Sequence, residues 1–169
     1  MSELIPTGVL VNIEKLWTPK WVITKQDSRS NEVIDVLEVE GNVILYQGLA
    51  ALYKVLADVG PAFSPIYNNA NAFIGAGTSS ASSGDQSQTG LLGTTAWKGM
   101  EAGYPQTQGT NNENLVFQAK FLTGEAEFAW NEIALGNAAD GGTEFNRLVQ
   151  SLGNKIANQT WTVDLILQG

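Results

Sequence analysis

The chain has 169 residues, a length that suits one compact domain, with 43% hydrophobic and 15% charged residues. That balance provides for a packed core and sets the chain apart from disordered sequences. A formal charge of −8 with only nine Lys and Arg argues against phosphate-backbone binding. The absence of Cys and His removes disulfides, thiolate nucleophiles, zinc–cysteine sites, the commonest general base and the commonest metal ligand.

Residues 1–40 hold eleven of the twenty-six charged residues, four basic and seven acidic. The stretches "VLVNIEKLW" and "KWVITKQ" read as extended pieces joined by Thr18-Pro19, and "DSRSNE" as a polar turn. "VIDVLEVE" has apolar residues on both faces, the pattern of a strand covered on two sides. This segment is expected to be an N-terminal arm that adds a strand to a neighbouring sheet. Its Trp17 and Trp21 either cover the sandwich or anchor a partner, with Lys15, Lys20, Lys25 and Arg29 as the polar rim of that interface.

One helix follows. "GNVILYQGLAALYKVLADVGP" places Leu45, Leu49, Leu52, Tyr53 and Leu56 at helical spacing, with Asn42 as N-cap and Gly60-Pro61 as the stop. The spacing predicts a helix over about 43–57, and Gly48 within it predicts close packing against a strand. From residue 61 onward the signals are β. "NAFIGAG" is a short strand ending in glycines, and "TSSASSGDQSQTG" is an exposed, mobile polar loop. "TAWKGMEAGYP" holds a strand, "TQGTNNEN" a turn, and "LVFQAKF" puts Leu115, Phe117, Ala119 and Phe121 on one face. "FNRLVQS" and "TWTVDLIL" are the last strands, the latter with Trp161, Val163, Leu165 and Leu167 on one side. Short strands, polar turns and one helix make a mainly β protein, a β-sandwich over 41–169.

The densest carboxylate group beside aromatics is "GEAEFAWNEIAL". Glu125 and Glu127 share one face of a strand, about 7 Å apart by strand rise, within the range of a glycosidase pair. Nothing on that face offers a sugar a stacking surface, so these carboxylates, with Glu132, are expected to coat the outside while Phe128 and Trp130 fill the core. Asn131-Glu132 interrupts the alternation as a β-bulge would. "GNAADGGTE" offers Asp140 and Glu144 to a Ca²⁺ ion but lacks the acidic spacing of a dedicated loop, so a hairpin turn is the expectation. "GTSSASSG" lacks the Gly-Lys-Ser/Thr end of a phosphate loop, and its serines have no histidine to activate them. Arg147 in "FNRLV" pairs with a carboxylate, caps carbonyls, or makes an inter-subunit contact. No catalytic residue, metal ligand or cofactor is expected. Nucleic acid is not an expected partner. No apolar run approaches the ~20 residues that cross a bilayer, and "MSELIPTG" lacks a basic signal-peptide start, so no membrane partner is expected either.

"GNVILYQGLAALYKVLA", "YNNANAFIGAGTSS", "AGYP", "FAWNEIAL", "FNR" and "TWTVDL" together resemble small virion structural proteins of tailed bacteriophages over roughly residues 41–169. The resemblance implies a jelly-roll-like decoration or cement protein. Such a protein sits on the capsid as a homotrimer, and its partners are the major capsid protein and its own copies. Its place is the virion, assembled in the host cytoplasm. Related sandwich domains in tail, baseplate and fibre parts, which contact receptors or carbohydrate, are the alternative that the same resemblance implies.

Overall fold

Residues with a two-residue apolar period bury one face of a strand, and two such faces pressed together make a core. The computed structural model describes residues 18–41, 43–57, 67–81 and 85–168. In chain order the elements are β1 (Thr18–Asp27), β2 (Val33–Glu40), β3 (Val43–Ile44), α1 (Tyr46–Ala57), β4 (Phe73–Gly77) and β5 (Thr95–Gly99). They continue with β6 (Gln106–Gln108), β7 (Asn114–Phe121), β8 (Ala129–Gly136), β9 (Glu144–Asn154) and β10 (Gln159–Gln168). The strands form two antiparallel five-stranded sheets, ordered β2-β1-β10-β7-β6 and β3-β9-β8-β4-β5. Among the described residues the fold is a β-sandwich with one short helix.

The predicted alternations supply the core. Phe117, Ala119 and Phe121 of β7 and Trp161, Val163, Leu165 and Leu167 of β10 are all buried. They meet Trp130, Ile133 and Leu135 of β8 in one cluster between the sheets. Trp130 bridges the two layers, with ring centroids 4.8 Å from both Phe121 and Trp161. Edge-on and tilted contacts of this kind add about 0.5–1.5 kcal/mol each beyond the area they bury.

The division expected at residue 40 falls inside a sheet. β1 lies between β2 and β10, paired along its whole length from Thr18↔Gln168 to Asp27↔Gln159. Trp21 and Ile23 alternate into the core with no exposed surface. The described part of the expected arm therefore builds the chain's own first sheet. Residues 1–17, with Lys15 and Trp17, lie outside the described residues.

The helix begins later than the spacing predicts. Val43 and Ile44 pair with Arg147 and Asn146 as strand β3, so α1 starts at Tyr46. Asn42 and Gly60-Pro61, the expected cap and stop, lie outside the described residues. The buried stripe runs through Leu45, Gly48 and Ala51, whereas Tyr53 and Leu56 of the expected face are 57% and 73% exposed. Gly48 sets that choice. A Cβ there would stand 2.7 Å from the Phe145 Cα of β9, so only glycine lets helix and strand meet so closely.

The alternation does break beside Trp130. Trp130 and Ile133, three residues apart, both join the core. Trp130 faces Gly153 and Glu132 faces Val149, so Asn131 alone stands against Gln150, Ser151 and Leu152. The surplus residues sit on β9, and the shift turns Glu132 to the outer face of the second sheet.

Candidate functional site

The outer face of the second sheet carries a buried charge cluster instead of a solvated polar surface. Glu132 and Arg147 have no exposed surface, and Glu144 is 2% exposed. Their room comes from the glycines of "FIGAG". Gly77 pairs with Glu132 across the sheet, and a Cβ on it would strike the Glu132 carboxylate. Gly75 clears the space for Trp97 of β5, whose ring would lie 2.6 Å from a Cβ at that position.

Apart from the Arg147–Glu132 pair itself, the hydrogen bonds of these side chains lead to the Ser- and Gly-rich loop between β4 and β5. Arg147 donates from Nε (2.9 Å) and Nη2 (2.6 Å) to Oε2 of Glu132. It also reaches the Gln88 Oε1 atom through Nη1 and the Ala81 carbonyl through Nη2. The other Glu132 oxygen accepts the backbone N–H groups of Ser79 (3.2 Å) and Leu92 (2.9 Å). Glu144 Oε1 accepts the Leu91 N–H at 2.9 Å. Thr78 and Thr94 close the base, each donating its N–H to the other residue's oxygen. The described parts of this loop, expected to be exposed and mobile, are pinned from beneath. The reason is chemical: the loop's backbone donors satisfy carboxylates that burial would otherwise penalise heavily.

Three acceptors thus surround one guanidinium, which stands between two buried carboxyl groups. Burial pushes Glu144 up to about 7, Glu132 adds to the rise, and the Leu91 N–H and Arg147 pull the other way. Tyr67, which donates its hydroxyl to the Thr143 carbonyl at 2.8 Å, is pushed up by burial and by Glu144.

The sequence-derived site residues scatter. Trp21, offered as a partner anchor, is fully buried in its own core, where it has no surface to give a partner. Lys20 pairs with Glu38 at 2.7 Å and Lys25 with Asp35 at 2.9 Å, both across the β1–β2 hairpin. Lys25 also lies 4.8 Å from the centre of the Trp161 ring. Arg29 is exposed at the hairpin tip. Arg147 is no inter-subunit contact in this chain: it takes the carboxylate-pairing role that the sequence also allowed.

Glu125 and Glu127 share no strand. Residues 122–128 turn between β7 and β8, with Ala126 at a φ of 51°. Glu125 holds Lys98 at 2.6 Å and the Leu122 N–H at 2.7 Å, and Glu127 accepts the Gly124 N–H at 2.8 Å. Partial burial raises the Glu125 carboxyl, but Lys98 and the Leu122 amide outweigh it and hold the group below its ordinary range. Glu132, expected outside with them, is the most buried of the three. Asp140 and Glu144 are parted as well. The 136–144 segment is a turn closed by Asn137 N–H to Gly141 O and Gly141 N–H to Ala138 O, with Asp140 exposed and Glu144 turned inward.

A second feature lies on the first sheet. Of the four strands at sheet edges, β6, β3 and β5 span three, two and five residues, while β2 spans eight. Among the described residues β2 pairs only with β1. Val33, Ile34 and Val36 on it are 55%, 54% and 50% exposed. Sheet edges are ordinarily kept short or charged to prevent pairing with another chain, and this one is long and partly apolar.

Comparison of the chain with protein-family models, with curated proteins and with solved structures finds no match.

Proposed function

We infer that the chain is a non-enzymatic structural protein of a tailed-bacteriophage virion. Its role is that of a jelly-roll-like decoration protein that binds the major capsid protein across capsomer boundaries, together with its own copies. The observation that carries this reading is the β2 edge: eight residues of strand, open on one side, with Val33, Ile34 and Val36 half exposed. Strand addition at such an edge supplies backbone hydrogen bonds for affinity and side-chain contacts for register. The resemblance of "FAWNEIAL", "FNR" and "TWTVDL" to phage structural proteins supports the setting. The carboxylates support the non-enzymatic part. Glu132 is spent on Arg147 and two loop amides, Glu125 on Lys98, and Glu127 on a turn amide.

Cryo-electron microscopy of purified particles of the encoding phage tests the setting. The expected result is sandwich density over capsomer boundaries, with β2 against the shell or a neighbouring copy. Density confined to the tail, or none on the particle, overturns it.

A further inference from the structure

The buried cluster contains two carboxyl groups and one guanidinium. Arg147 places both Nε and Nη2 on the Glu132 carboxylate, so that pair is internally neutral. Glu144 is left with a single described donor, the Leu91 N–H on Oε1, while Oε2 is buried with no hydrogen-bond partner among the described residues. The surroundings offer no relief. Trp97 of β5 and Gly141 of the β8–β9 turn close one side, since a Cβ on Gly141 would lie 2.8 Å from the Trp97 ring and 3.1 Å from Glu144 Oε1. The titratable groups that act on Glu144 are Glu132 of β8, which repels its charge, Arg147 of β9, already engaged, and Tyr67, whose hydroxyl is turned to the Thr143 carbonyl. An ionised carboxylate here is a net buried charge beside a like charge, whereas a protonated one leaves the cluster neutral.

We propose that Glu144 is a proton-dependent latch: protonated, it seats the 85–92 segment on the second sheet, and ionised, it releases that segment to let water reach the carboxylate. The chemistry is a simple proton exchange with solvent, Oε2–H giving up its proton as the segment lifts. Local opening relieves the charge at less cost than global unfolding because Leu91 and Leu92 lie over the cluster at the surface, Leu92 being 44% exposed. The Thr78–Thr94 clamp holds the base of the loop while residues 85–92 move. This device stands on the cluster alone and holds whatever the protein binds.

The sign follows from linkage. A carboxyl raised from its ordinary range to about 7 binds a proton in the folded state that the unfolded chain has already lost. Its stabilising share is therefore complete below the ordinary carboxylate range and is lost as pH rises through about 7.

Amide hydrogen exchange of the full-length chain, followed by NMR from pH 5.5 to 8.5 and corrected for intrinsic rates, tests the latch at Leu91. Protection is expected to fall by about tenfold per pH unit from pH 5.5 to about 7, the slope of one linked proton, and to level off above it. Glu144→Gln keeps an acceptor for the Leu91 N–H and has no proton to lose, so its protection should stay flat. Protection that does not change with pH in the parent chain, or that falls equally in Glu144→Gln, overturns the proposal. Should Glu144→Gln not fold, the Glu144 side-chain carbon shift decides: a midpoint near 7 supports the latch, and one in the ordinary carboxylate range overturns it.

Discussion

Single residues decide whether the outer face of the second sheet is a surface or an interior. Gly77 is the smallest of them and among the most constrained, because any side chain there meets the Glu132 carboxylate. Gly77→Ala should cost about 1–3 kcal/mol in a urea melt, the range of an overpacked core, although it adds only a methyl group to a strand. Arg147→Met should cost more, about 3–5 kcal/mol, because it leaves Glu132 buried without its counter-charge. The double change Arg147→Met with Glu132→Leu should recover much of that loss, since an apolar pair carries no charge to desolvate. A double variant no more stable than Arg147→Met alone would contradict the pairing. None of this cluster was visible as a unit in the sequence. Glu132 reads as surface beside Asn131, and periodicity assigns a face to a residue but does not reveal that a loop forty or more residues away in sequence covers that face. The available signal was "FIGAG", where two glycines on one face of a strand mark room for bulky neighbours.

At the scale of elements, alternation was a sound guide where one face alone is buried. β7 and β10 lie where their patterns placed them, and the helix packs through Gly48 as its glycine implied. The first two strands were misassigned because their charges hide their period. Trp21 and Ile23 point inward, but Lys20, Lys25, Asp35 and Glu38 lie around them, and a mixed-charge stretch reads as a rim. In the fold these charges pair across the hairpin and flank a buried stripe. Two measurements check the correction. Trp21→Ala should cost about 3–5 kcal/mol, as a truncated core aromatic does. A chain lacking residues 1–30 loses the strand between β2 and β10 and should show no cooperative thermal transition. A truncated chain that melts cooperatively would restore the separate arm.

Across the whole molecule, two faces are treated in opposite ways. The second sheet is sealed on its outer side by a helix and a pinned loop, with charges turned inward to hold the cover. The first sheet ends in a long strand with apolar side chains half exposed and an unpaired edge among the described residues. A protein built this way has its charged groups enclosed beneath a cover and one backbone edge open among the described residues. For the virion role proposed above, the most direct test is co-sedimentation of the purified protein with particles of the encoding phage assembled without it. The unaltered chain is compared with the double variant Val33→Lys and Val36→Lys, which replaces the exposed apolar side chains of the β2 edge with lysines. Both positions are about half exposed, so the thermal midpoint should be unchanged. The account predicts that the unaltered chain sediments with particles and that the variant binds at least about tenfold more weakly, equivalent to ~1.4 kcal/mol. Equal binding by the two would remove β2 from the interface, and no binding by the unaltered chain would contradict the virion reading itself.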